Sequence, residues 1–373
     1  MQVFDNKVIK SIVLFFSLAL IAHNTFANGG GNNDKEEDQF DVSEMIMHHV
    51  KDAHEWHLWG DEKTGKTFYL PVIISDDGFK VFSSYHFYHG KEVHLKDAKG
   101  NIVHYLIGEG PAEGYALFHE KIYKLDEKGK LNIEDGHPTN NKPLDLSITK
   151  NVSSLFVGAI IILILILSMA RFYKKNGPVA PKGIAKFLEP FIMVIRDDIA
   201  KENIDHHKYH KYVPYLLTIF FFVWINNLLG LIPIFPGGAN LTGNMTVTFF
   251  LALCTLLVTL LSSNKNYWKH IFATPGVPVA LMPIMIPIEI VGIFTKPFAL
   301  MIRLFANMTA GHIIILALIS IIFINKNAAW GALSVPMALF ISILELLVAF
   351  LQAYLFAMLS SLFIGAAVEE AHH

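Results

Sequence analysis

Five ionisable residues stand inside long apolar runs of this 373-residue chain: Glu289, Lys296, Arg303, His312 and Glu345. Placing such a side chain in hydrocarbon costs ~2.5–3.5 kcal/mol on insertion scales, so each needs a reason to be there. Arg303 keeps its proton at any physiological pH; it is a fixed positive charge that cannot relay a proton. Asn307, four residues on, shares its helical face. His312 lies nine residues beyond Arg303, which turns it by about 180° and carries it ~13 Å along a helix. Glu345 and Gln352 are seven apart and again share a face. An imidazole and a carboxylate on neighbouring helices can both take and release a proton, which is what a proton path needs. The plainer alternative is a Glu345–His312 hydrogen bond that only fastens two helices, and it leaves Arg303 and Asn307 unexplained. Glu289 and Lys296 either pair with each other or reach the headgroups, in a supporting role.

The elements that must position these groups follow from composition. The chain is 53% hydrophobic, has one cysteine and carries a formal charge of −2, which excludes a disordered protein, a disulfide scaffold and a nucleic-acid binder working through a basic surface. Of the 62 charged residues, 39 precede Val152, so an acidic polar part is joined to a very apolar one. Lys7 and Lys10, the apolar run Ser11–Ala22 and the small-residue pattern at Thr25-Phe26-Ala27 mark residues 1–27 as a signal peptide. Residues 28–150 are then an exported domain, and residues 151–373 a membrane domain.

Within the membrane domain the apolar runs are Val152–Ala170, Tyr212–Ile234, Met245–Ser263, Val277–Ile324 and Ala332–Val368. The first three match one helix crossing ~30 Å of hydrocarbon. The last two are longer than one crossing requires and must tilt, kink or run partly along the interface; Pro283, Pro287 and Pro297 offer the first of them places to break. Nine Lys and Arg fall between Arg171 and Lys211 and none between Phe235 and Asn244, which puts the first loop and the C-terminus in the cytoplasm and the N-terminal domain in the periplasm. Ile184, Phe187, Leu188, Phe191, Ile192 and Ile195 recur at helical spacing in that loop and predict an amphipathic helix on the inner surface. The fold class is therefore mainly α: a polytopic helical membrane protein with about five net crossings, one cytoplasmic amphipathic helix and a small exported domain.

That exported domain reads as β-rich. Strand-like runs at Thr67–Ser75, Phe79–His89, Glu92–Leu95 and Ile102–Ile107 are separated by turn pairs, among them His89-Gly90 and Lys99-Gly100. A stretch with helical pattern precedes them and carries His48, His49, His54 and His57. Without acidic or thiol partners at defined offsets these are expected to be solvated or interface histidines, and no metal is expected. No P-loop, nucleophile–base pair or cofactor motif is present. Cys254 sits alone in an apolar run and is expected to be inert.

The membrane domain resembles subunit a of the F-type ATP synthase. The resemblance rests on Glu289–His312, with Lys296-Pro297, Arg303-Leu304-Phe305-Ala306-Asn307-Met308 and Ala310-Gly311, and on Glu345–Gln352-Ala353. Trp224-Ile225-Asn226-Asn227-Leu228-Leu229-Gly230 and the Asn240–Thr248 segment add to it. It covers about residues 145–370 and implies a proton-translocating stator subunit, with no active site or cofactor of its own. Its implied partners are a rotating ring of c subunits bearing membrane carboxylates, b-type stalk subunits, the other ATP synthase subunits and the bilayer of a bacterial inner membrane; no nucleic acid is among them. Two offset half-channels separated by Arg303 would load and unload the ring, with Asn307, His312, Glu345 and Gln352 along the path and Glu289, Lys296 and Asn227 supporting it. Many bacterial relatives carry an acidic residue at the position of 312 and a histidine at that of 345; here the two are exchanged. A proton-coupled secondary transporter is the rival reading, but the two halves of the membrane domain show no internal repeat.

Overall fold

Pairing of short alternating strands builds the N-terminal part. In this computed structural model β1 (Glu55–Trp59) pairs antiparallel with β2 (Lys66–Tyr69). Next, β3 (Pro71–Asp76) pairs with β4 (Gly78–Ser83). A four-residue helix, α1 (Tyr85–Tyr88), is followed by β5 (Lys91–Lys96), β6 (Ile102–Ile107), β7 (Tyr115–Phe118) and β8 (Lys121–Lys124), a four-stranded meander. Two-residue strands β9 (Ile133–Glu134), β10 (His137–Pro138) and β11 (Leu144–Asp145) complete the set, with β11 adding to the edge of β3. Val72 and Ile74 on β3, Phe82, Phe87, Tyr115, Leu117 and Ile122 fill one core. The residues described are 51–59, 66–76, 78–96, 102–134, 137–232, 237–273, 278, 281–325 and 327–369, and all of them belong to one compact unit. The signal-peptide segment 1–27, His48, His49, the turn at Lys99-Gly100 and the last four residues lie outside that set.

Two local expectations are corrected. The helical stretch around His54 and His57 is not a helix over 55–59 but strand β1, where Trp56 turns inward and is buried. An aromatic residue such as Trp56 suits a pleated, half-buried ribbon better than a helix. The run Phe79–His89 is strand only as far as Ser83, because Ser84 then turns the chain into α1 and its hydroxyl donates to the His54 carbonyl (2.7 Å).

Five helices in the second part are long and apolar enough to cross a membrane: α2 (Lys150–Asn176), α4 (Tyr209–Leu231), α5 (Met245–Ser262), α7 (Met282–Ile324) and α8 (Gly331–Val368). Between α2 and α4 the expected amphipathic segment is present as α3 (Ile184–Met193), extended by a wide π-type turn (Val194–Ala200). It buries Leu188, Ile195 and Ile199 against α4 and α8. A further short helix, α6 (Lys265–Phe272), which hydropathy did not reveal, precedes α7. At 43 and 38 residues α7 and α8 are about 65 and 57 Å long and can fit a ~30 Å slab only when steeply tilted. The helix α7 runs unbroken through Pro287 and Pro297, so its extra length is not taken up by a break.

End contacts agree with five alternating crossings. At one end the Val368 carbonyl accepts from Lys208 Nζ (3.3 Å) and Asn264 Nδ2 (2.8 Å), gathering the starts of α4 and α6 and the end of α8. At the other end Asp52 of the β-rich part accepts from the Asn151 N–H and the Thr149 hydroxyl (both 2.9 Å), placing a carboxylate at the N-terminus of α2. There too the Trp56 indole donates to the Gly237 carbonyl (3.1 Å), so the β-rich part holds the α4–α5 connection.

Next to this junction His54 is 1% exposed, with Nε2 3.6 Å from Asp145 and Nδ1 3.8 Å from Glu120. Burial alone would lower its pKa, but the two carboxylates outweigh it and lift the imidazole from 6.5 to about 9. Since the folded value exceeds the unfolded one, the proton's contribution to stability is complete below pH ~6.5 and is lost as pH rises through about 9. Hydrogen exchange of residues 102–150 in the full chain should therefore speed up between pH 7 and pH 9.5 relative to a His54→Gln variant measured at the same pH values. Parallel behaviour of the two proteins would refute the charged imidazole.

Candidate functional site

The site is built on α7, whose two faces differ sharply. Pro297, Leu300, Met301, Leu304 and Met308 form a buried stripe that packs into the bundle. Ala299, Arg303, Ala306, Asn307 and Ala310 form the opposite stripe and are exposed. Arg303 is near the midpoint of α7 and makes no hydrogen bond or ion pair among the described residues. The alanines around it let another helix approach closely. Among the described residues no counter-charge pairs with this permanent charge.

Glu345 and His312 lie toward the β-rich end. Glu345 is 5% exposed, and its carboxylate rests on α7 at Gly311, where a Cβ would overlap Oε1. His312, the next residue along α7, turns the other way toward α4: a Cβ at Gly230 would come within 3.6 Å of its Nε2. Glu345 and His312 therefore flank the same stretch of α7 without bonding each other, and both Glu345 oxygens and His312 Nε2 are buried with no hydrogen-bond partner. A direct Glu345–His312 bond that merely fastens the helices is absent. Buried polar atoms ordinarily find a partner in protein or water.

Asn227 ties the surroundings together. It donates to the Ala349 carbonyl on α8 (3.3 Å) and accepts from the Thr242 hydroxyl (2.6 Å), while Thr309 on α7 bonds the Gly243 carbonyl (3.4 Å). Gln352, 6% exposed, lies two turns beyond Glu345 and ~10 Å farther from the β-rich end, at roughly the height of Arg303. On the far side of Arg303, of the two alternatives for Glu289 and Lys296, the ion pair does not form. Lys296 Nζ lies 5.9 Å over the Phe363 ring and lines a small crevice with Thr259, Tyr267 and Ile293. The sequence pointed to neither Gly311 nor Gly230, because the requirement there is for a missing Cβ opposite a side chain far away in the chain.

Gly311→Ala should displace the Glu345 carboxylate while leaving α7 helical. Under the role that the sequence resemblance implies, ATP-driven proton transport should fall at least about tenfold with assembly intact, and undiminished transport would show that the contact is dispensable.

Comparison with known proteins decides the identity of this arrangement. The family model described as ATP synthase A chain matches residues 152–365. The chain belongs to the ATP synthase subunit a family. It is the proton-translocating stator subunit of a bacterial ATP synthase, a multi-pass component of a larger complex, and its partners are the other ATP synthase subunits. It is 48% identical over 244 residues to "ATP synthase subunit a 2" of Chlorobium luteolum, covering 62% of this chain and 70% of that protein. To "ATP synthase subunit a" of Chloroherpeton thalassium it is 43% identical over 261 residues, 65% of this chain and 77% of the other. With that of Chlorobium phaeobacteroides the identity is 48% over 296 residues, covering 75% of this chain and 84% of the relative. A match of that length exceeds the membrane part alone and reaches into the β-rich part. A second model, a domain of unknown function (DUF8433), matches residues 45–146.

Proposed function

We propose that Arg303 and Asn307 face the rotating ring of c subunits, and that Arg303 supplies the fixed charge against which each ring carboxylate is deprotonated. The observation that carries this is the exposed, unpartnered Arg303 on a small-residue face at the middle of α7. Attraction in a low-dielectric site favours the charged carboxylate, and the same charge repels a proton crossing directly from one side to the other.

Two polar regions then lie on opposite sides of this barrier. Toward the β-rich end, Glu345 and His312 would pass protons through water between the bulk and the ring, with Gln352 at the inner limit and Asn227 and Thr242 holding the α4–α5 connection in place. Toward the other end, the crevice at Lys296, with Glu289 two turns earlier on α7, would form the second half-channel. A ring carboxylate neutralised at one region can turn into lipid and discharge at the other. The drive is the membrane potential, about 2.3 kcal/mol per charge per 100 mV, together with the pH difference.

The orientation that fits the lysine-rich loop at 171–211 and the junction at Trp56 puts residues 28–150 in the periplasm after removal of residues 1–27, with membrane domain 151–373 ending in the cytoplasm. The exposed, apolar face of α2, including Ile160, Leu163, Ile164 and Leu167, is left for lipid or the b-type stalk subunits. ATP-driven acidification of inverted vesicles carrying Arg303 variants tests the central assignment.

A further inference from the structure

We propose that the exported domain carries a divalent transition-metal site formed by Glu92, His94 and His104, with Zn2+ as the fitting ion. The strand pairing of β5 with β6 sets His94 directly opposite His104, and Glu92 is two residues before His94, on the same face of β5. The two imidazole rings meet edge to face with centroids 4.5 Å apart. Glu92 Oε1 is 3.7 Å from His94 Nε2 and 3.8 Å from His104 Nδ1, and the three ligand atoms all lie within 4.8 Å of one another.

Ligands 2.0–2.1 Å from a tetrahedral ion stand about 3.4 Å from each other, so small side-chain rotations close the set around one ion. Two imidazoles and one carboxylate are borderline donors that suit Zn2+; Mg2+ and Ca2+ prefer all-oxygen shells. All three side chains are open to solvent, at 57%, 55% and 41% exposure, which gives an ion direct access and leaves a fourth position for water. Such an ion would staple the edge strand β5 to β6, so that binding and local folding are linked. The site was hidden in the sequence because His94 and His104 become neighbours only through the hairpin register. It is separate from the histidines at 48–57, for which no metal was expected.

The test uses the assembled, detergent-purified complex, stripped with chelator and then titrated with Zn2+ and, for its visible spectrum, Co2+. Wild type should bind one more equivalent of Zn2+ than His94→Ala/His104→Ala and show Co2+ absorption bands that the double variant lacks. Glu92→Gln, which keeps both imidazoles and the shape of the hairpin, should weaken binding about tenfold. A control change at His137, elsewhere on the domain, should leave binding intact. Zn2+ should also slow hydrogen exchange in 91–96 and 102–107 of the wild type alone. Equal stoichiometry and spectra in wild type and double variant, or no Zn2+ bound by the wild type, would overturn the site and leave Glu92 as a simple ion-pair partner of the two histidines.

Discussion

Replacing Arg303 by alanine should reduce ATP-driven acidification of inverted membrane vesicles to background, at least a hundredfold, while the complex still assembles and its soluble part still hydrolyses ATP. Arg303 makes no ion pair among the described residues and lies on the exposed face of α7, so its removal opens no cavity in the bundle core formed by Leu300, Leu304 and Met308. The loss would therefore report on the charge and not on folding. Arg303→Lys retains a formal charge but should fail nearly as badly. An ammonium is a compact, strongly hydrated point charge that loses its proton readily when desolvated, and it lacks the planar fork that meets a carboxylate with two hydrogen bonds. Coupled transport surviving in both variants would remove Arg303 from the mechanism.

How much of this could be read from the sequence depends on the range of the interaction responsible. The five crossings were legible because an apolar run of about twenty residues has few other places to go, and the steep tilt of α7 and α8 follows from their length alone. The shared face of Arg303 and Asn307 was likewise legible from a spacing of four. Which way that face points was not, since Leu300, Leu304 and Met308 make an apolar stripe no more hydrophobic than lipid itself. Only the packing of α7 against its neighbours shows that Arg303 looks outward. In the β-rich part, β5 and β6 were found from alternation, whereas β7 (Tyr115–Phe118) is buried at every residue and so has no alternation to read. The helical reading of residues 48–57 failed over 55–57, where Trp56 is buried and donates to the Gly237 carbonyl, a partner 181 residues away.

The Glu345–His312 pair tests the half-channel itself, through a double exchange. His312→Glu alone leaves the region with two carboxylates and no imidazole, and Glu345→His alone leaves it with two imidazoles and no carboxylate. Each single variant should lose at least about tenfold in proton transport, because two like groups compete for the same protons and the region is already short of hydrogen-bond partners. Carrying both changes restores one carboxylate and one imidazole, now on the opposite helices, and should recover transport to within about threefold of wild type. That recovery corresponds to an interaction energy of at least about 2 kcal/mol between positions that do not touch. The separation is what gives the experiment its force. Two side chains joined by a hydrogen bond would be coupled for structural reasons alone, but Glu345 leans on Gly311 while His312 leans on Gly230, so coupling between them must pass through what lies in the space around α7. Water carrying a proton from one to the other accounts for such coupling; independent packing roles do not. If the double variant is as impaired as the sum of the singles, the two residues act separately and the outer path must run past only one of them.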